Sequence, residues 1–252
     1  VIIYKDVIKS FGPVIAVNRV SMEIEEGCIT ALLGPNGSGK STLMKMTIGV
    51  LRPDFGDIIV DGYSVVDDPI SVRKIVGFSP EEINLFDSLT PTEIFSFLSE
   101  VYNISDDVFQ DRVEFYVRLF KLDEYMNVLC GELSFGNRRK VSLVSALLHD
   151  PPILILDEPF SGLDPEAGRI LKELLKKYAS MGRTVVFSTH ILEIAEAVAN
   201  YIIIMNRGEV VARGRPDELR ELISVSDLET VFMEVTGLSG ELESLIRSLW
   251  GS

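Results

Sequence analysis

The sequence predicts an α/β fold with a mostly parallel sheet, an N-terminal antiparallel β layer and an α-helical lobe inserted in the core. Three observations carry this. Between residues 153 and 205 short apolar runs alternate with helical stretches, as in a parallel sheet with right-handed crossovers. The first 33 residues instead alternate apolar runs with turn signals. Residues 90–150 change character and repeat apolar side chains at helical spacing.

In chain order, residues 2–4, 16–20 and 28–33 read as strands, broken by Gly12-Pro13 and Glu26-Gly27. The run 28–33 is apolar apart from Thr30, as expected of a strand buried on both faces. A glycine-rich loop follows at 34–39, then a helix over about 40–50 and a β region over 56–63 that turns at Asp61-Gly62. Thr90-Pro91-Thr92-Glu93 has the pattern of a helix start, with a capping Thr, Pro in the first turn and Glu three residues on. Ile94, Phe97, Leu98, Val101 and Tyr102 then recur at helical spacing, which predicts an inward face. Two further amphipathic stretches cover about 108–119 and 137–149. The core resumes with a strand at 153–156, a helix over 165–181, a strand at 184–188, a helix over 191–200 and a strand at 201–205. Short helical or strand segments are expected after Pro216. The pattern predicts one domain over residues 1–216, with the helical lobe at about 90–150 inside it, and a short extension over 217–252.

Bulk properties narrow the function. A formal net charge of −14 argues against a nucleic-acid partner, which would require clustered Lys and Arg. Cys28 and Cys130 have no metal-ligand spacing, and both are expected as small buried side chains in a reducing compartment. No apolar run approaches the roughly 18 to 20 residues that span a bilayer. Lys5, Asp6 and Lys9 interrupt the N-terminal apolar residues, so no signal peptide is expected there. Contact with a membrane would therefore go through a partner, with the chain itself cytosolic.

Gly34-Pro35-Asn36-Gly37-Ser38-Gly39-Lys40-Ser41 fits the phosphate-loop pattern and stands between a buried strand and a helix, where that mechanism needs it. Its glycines let backbone N–H groups turn inward around phosphate oxygens, and the helix N-terminus adds positive potential. Lys40 would reach the β- and γ-phosphates, Ser41 would ligate Mg²⁺, and Thr42 belongs to the same nucleotide-binding set. Further on, Ile153-Leu154-Ile155-Leu156 runs into Asp157-Glu158. Two carboxylates at the end of a buried strand are costly without a cation. Asp157 suits Mg²⁺, directly or through water, and Glu158 suits a base for the attacking water; the alternative is a solvated or capping pair. Together the two elements define a nucleoside triphosphatase that uses Mg²⁺, but not which kind; ATP as the nucleotide is implied by the resemblance that follows.

Leu133-Ser134-Phe135-Gly136-Asn137, just before a helix, resembles the signature of ABC-type ATPases, usually Leu-Ser-Gly-Gly-Gln. Phe135 puts bulk where that family often has none, and Asn137 keeps an amide of shorter reach. Read without the family, Ser134 is a helix N-cap. Ser161-Gly162-Leu163-Asp164 resembles the family's D-loop, or else is a helix-capping turn with Asp164 before Pro165; His190, after Ser188-Thr189, resembles its switch histidine at the γ-phosphate. Phe11, before Gly12, matches the aromatic position that stacks on adenine, or else is a core Phe of the β layer. Glu81, in Gly77-Phe78-Ser79-Pro80-Glu81-Glu82, stands where the family has Gln. It either ligates metal or water there or is a solvated hinge carboxylate.

The resemblance covers about residues 2–216. The segment 228–237 also looks like the ending common in ATPases of multidrug, lipid and polysaccharide exporters. It implies an ATPase that powers a membrane transporter. Two chains would pair head to tail, each offering Ser134 and Gly136 to the γ-phosphate held by the other. The second ATP-binding subunit could be an identical or a different chain. The implied location is the inner face of the cell membrane, held there by a multi-span membrane subunit; Leu85, Phe86 and Leu89 are candidate contacts, or else simply pack under a loop. A soluble ATPase of an assembly system such as iron–sulfur cluster biogenesis is the alternative. A chromosome-organising ATPase is excluded, because residues 42–132 hold no long coiled coil.

Overall fold

The structure, a computed structural model, describes residues 1–222. Strands β1 (Ile2–Phe11) and β2 (Val14–Ile24) form a hairpin whose register runs from Phe11 opposite Val14 to Ile2 opposite Ile24. Ile2, Tyr4 and Val7 point inward, and Gly12 takes the left-handed turn with φ of +59°. Strand β4 (Phe55–Val60) pairs with the other edge of β1, and the two-residue β5 (Tyr63–Ser64) closes an antiparallel layer of order β2-β1-β4-β5. Both strands of the hairpin are longer than their apolar runs, because polar residues such as Lys9 and Asn18 occupy the outward positions.

The second sheet contains β3 (Ile29–Leu33), β6 (Val76–Ser79), β7 (Ile153–Leu156), β8 (Thr184–Thr189), β9 (Tyr201–Asn206) and β10 (Glu209–Gly214). Its order is β10-β9-β3-β8-β7-β6, parallel except for β10 against β9. β3 and β7 are buried at every residue, as their unbroken apolar runs predict. Alternate residues serve opposite faces. Ile29, Ala31, Leu33, Leu154, Leu156, Val185 and Phe187 meet the helical side. Leu32, Ile153, Ile155, Val186, Ile203 and Met205 meet the antiparallel layer.

The helices are α1 (Lys40–Thr47), α2 (Pro69–Ile75), α3 (Pro91–Val101), α4 (Asp106–Phe120), α5 (Phe135–Leu147), α6 (Pro165–Ser180), α7 (Leu192–Val198) and α8 (Pro216–Leu222). Helices α3, α4 and α5 lie in the chain between β6 and β7, which are neighbours in the sheet, so they form an insertion. Helix α3 starts as expected: the Thr90 hydroxyl accepts from the Glu93 N–H, and the Glu93 carboxylate accepts from the Thr90 N–H at 2.8 Å. Thr90→Ala should remove about 1 kcal/mol of unfolding free energy, read by chemical denaturation. No loss would mean the cap contributes nothing here.

Several expectations need correction. On α3, Phe97 and Val101 are more than half exposed, whereas Phe95 is buried together with Ile94. The inward stripe is narrower than the apolar spacing suggested. Leu85 and Leu89 pack on the core, and only Phe86 stands out, 66% exposed. Cys130 is buried, but Cys28 is only half-buried. The segment 228–237 lies outside the described residues.

A candidate nucleotide site

β3 ends where the loop 34–39 begins, and α1 starts at Lys40. The loop turns through Gly37 (φ +80°) and Gly39 (φ +104°), a region open to glycine. A Cβ on Gly39 would strike the Ala16 carbonyl oxygen, and one on Gly34 would strike that of Met205. The loop is thus pressed between the β2 and β9 backbones. No side chain caps α1, so its first N–H groups remain free to receive an anion.

The loop lines a cleft of about 440 Å³ together with Phe11, Ala16, Glu81 and Glu158. Phe11 is half exposed at this cleft, and so is not a core residue. Lys40 is 5% exposed; its ammonium donates to the Gly34 carbonyl at 2.7 Å and the Pro35 carbonyl at 3.1 Å. Burial pushes its pKa down, opposed by the charges of Glu158, Asp157 and Glu81. The Ser38 hydroxyl is buried without a partner.

Asp157, fully buried at the end of β7, is held by hydroxyls. Ser188 donates to its Oδ1 at 2.5 Å and Ser41 donates to the same oxygen at 3.1 Å. The other oxygen, Oδ2, is buried and has no partner. A buried carboxylate oxygen without a donor is expensive, so this geometry calls for a cation. The Ser41 hydroxyl and the Asp157 carboxylate are hard oxygen donors of the kind Mg²⁺ prefers, and that ion keeps waters and phosphate oxygens as its other ligands. The residues present fit Mg²⁺.

Glu158 follows with a left-handed backbone, φ +46°, which is rare outside glycine. Its N–H donates to the Ser188 hydroxyl at 2.8 Å. This conformation aims the carboxylate into the cleft, and its Oε1 lies 3.0 Å from His190 Nδ1. His190 is half exposed. Strain of this kind is typical of functional positions. The structure therefore brings together Lys40, Ser41, Asp157, Glu158 and His190, with Glu81 exposed at the rim and lining the same cleft.

Ser134, Gly136 and Asp164 do not line the cleft. Ser134 caps α5, accepting from the Asn137 N–H at 3.3 Å. Asp164 caps α6, accepting from the Ala167 N–H at 2.8 Å, and pairs with Lys140 at 2.9 Å.

Sequence reasoning missed two residues. Ser188 is the hydroxyl that donates to the Asp157 carboxylate and accepts from the Glu158 N–H, and its setting at a strand end gave no separate signal. Arg139 is completely buried, and its guanidinium donates to the Pro80 carbonyl at 2.5 Å and the Glu81 carbonyl at 2.7 Å. A charge three and four residues before the buried Ser142 and Leu143 of α5 was the available clue.

A family model described as ABC transporter matches residues 17–161. The chain is 35% identical to the ABC transporter ATP-binding protein NatA of Bacillus subtilis, over 89% of this chain and 92% of that one. It is 33% identical to the Nod factor export ATP-binding protein I of Rhizobium etli, over 96% and 76%. Among solved structures, an ATP-binding subunit of an ABC transporter matches with a TM-score of 0.88 and 32% identity, over 93% and 99%. A dimeric post-hydrolysis state of an ATP-binding cassette, bound to ADP and Pi, matches with a TM-score of 0.78 and 28% identity, over 85% and 98%.

Proposed function

The chain belongs to the ABC transporter ATP-binding family and is an ATPase, and from that premise we propose that it drives a membrane transporter by closing head to tail with a second ATP-binding subunit. The observation that carries this reading is that a phosphate loop, the Asp157 carboxylate with one unpartnered buried oxygen and the Glu158–His190 pair meet at one cleft.

In the proposed cycle the ATP phosphates enter the loop 34–39 and draw the Lys40 ammonium away from the Gly34 and Pro35 carbonyls. Ser41 and Asp157 would hold Mg²⁺, which would supply neutralisation of phosphate charge. Glu158 orients the attacking water and takes its proton as the new O–P bond forms and the bond to the ADP oxygen breaks. His190 holds the Glu158 carboxylate in place and would face the γ-phosphate. Glu81 adds negative charge and an oxygen at the rim, beside the same phosphates. The exposed side of the γ-phosphate would be covered by Ser134 and Gly136 of the second subunit. Their free N–H groups at the start of α5 suit an anion. Asp164 and its loop would lie at the same junction. Loss of the γ-phosphate then removes the charge that held the two chains closed.

Phe11 is proposed to stack on adenine. Phe11→Ala should weaken ATP and ADP alike by about tenfold, as expected for one lost base stack, measured by titration with a fluorescent nucleotide. Unchanged affinity would remove Phe11 from the base site.

The transport role is supported by the names of the relatives, and no helix of the described residues is long and apolar enough to cross a membrane. We propose that the chain sits at the cytoplasmic face, bound through a multi-span membrane subunit, with Phe86 among the contacts. The test is to purify tagged Glu158→Gln chain from its native cells in mild detergent with ATP and Mg²⁺, then identify bound proteins by mass spectrometry. A stoichiometric multi-span membrane protein is expected. Soluble partners alone would replace transport with an assembly role.

A further inference from the structure

Phe135 departs from the usual family motif, and its ring lies against the loop 161–164. A Cβ built on Gly162 would fall on Cδ1 and Cε1 of Phe135, so the ring fills the space a side chain would need there. Gly162 also has φ of +76°, a backbone conformation that favours glycine. The Arg139 guanidinium lies 5.7 Å from the Phe135 ring centroid, within cation–π reach. Two further contacts run in parallel. A Cβ on Gly136 would stand 2.8 Å from the Gly162 carbonyl oxygen, so the two backbones nearly touch. Lys140, largely buried, pairs with Asp164 at 2.9 Å.

The loop fastened in this way begins at the catalytic glutamate, since the Ser161 N–H donates to the Glu158 carbonyl at 3.1 Å. The same helix holds the opposite rim of the cleft through Arg139 on Pro80 and Glu81. We infer that Phe135 is a positioning residue. Its ring holds the loop 161–164 to the first turn of α5, so that Ser134 and Glu158 move as one body. The inference rests on the head-to-tail reading above, in which Ser134 serves the second subunit's nucleotide and Glu158 this chain's own. Neither Phe135 nor Gly162 lines the cleft, so their contact acts on the closed pair and not on nucleotide capture.

The experiment compares the full chain with Phe135→Gly and Phe135→Leu. It reads turnover per chain against protein concentration at saturating ATP, ADP affinity, and the thermal midpoint. Phe135→Gly should lower maximal turnover about five- to tenfold and keep ADP affinity within about twofold. Phe135→Leu, which covers Gly162 again, should recover most of the loss with a thermal midpoint like that of the Gly variant. Wild-type turnover in Phe135→Gly, equal loss in both variants, or weakened ADP binding would overturn the inference. So would a loss that simply tracks a lowered midpoint. A wild-type chain whose turnover per molecule is independent of protein concentration would instead sink the head-to-tail reading, and this inference with it.

Discussion

Glu158→Gln should slow ATP turnover by about a hundredfold or more while ATP still binds. The magnitude is that of losing a positioned general base. Gln matches Glu in shape, so the left-handed backbone at 158 and its N–H bond to Ser188 should persist. The side chain retains a polar atom for His190 but no longer accepts a proton from water. Lys40, Ser41 and the loop glycines are untouched, so nucleotide affinity should stay within about twofold. Single-turnover and steady-state assays, with a binding titration beside them, read the two effects separately. Turnover near that of the parent chain would take Glu158 out of the base role.

Lys40→Ala should act at the other end of the cycle and weaken binding of ATP by about a hundredfold. Lys40 is the one cationic side chain lining the cleft among the described residues, where Glu81 and Glu158 also stand and Asp157 lies close behind. Removing the ammonium leaves three acidic charges facing an anionic ligand. It also leaves the Gly34 and Pro35 carbonyls without their donor. Charge-assisted bonds to phosphate are among the stronger hydrogen bonds, which sets the size of the loss. Calorimetric titration checks it, and unchanged affinity would end the phosphate-cradle assignment.

The parts of this architecture that were legible in the sequence share a physical origin. β3 and β7 are buried on both faces, so only apolar residues fit, and the run itself announces the strand. The start of α3 was readable because a capping box is a local device of four residues. The phosphate loop was readable because close approach to the Ala16 and Met205 carbonyls leaves room only for glycine.

What escaped notice depends on tertiary contacts. β6 is four residues long and contains Gly77, where a Cβ would collide with the Ala146 carbonyl of α5. Nothing local marks such a segment as a strand. β10 alternates exposed and partly covered residues as an antiparallel edge, a weaker pattern than an unbroken apolar run. Arg139 and Ser188 gained their roles only when α5 met the segment 80–81 and β8 met β7. Phe97 and Val101 had the right spacing for an inward face, but the inner side of α3 is taken by Ile94 and Phe95.

The most direct measurement is the molar mass of the Glu158→Gln chain by light scattering, with ATP and Mg²⁺ and then with ADP in place of ATP. If Ser134 and Gly136 of one chain complete the γ-phosphate site of another, the mass should double with ATP and return to that of a single chain with ADP. A single-chain mass in both nucleotides, with ATP shown to be bound, would contradict the account.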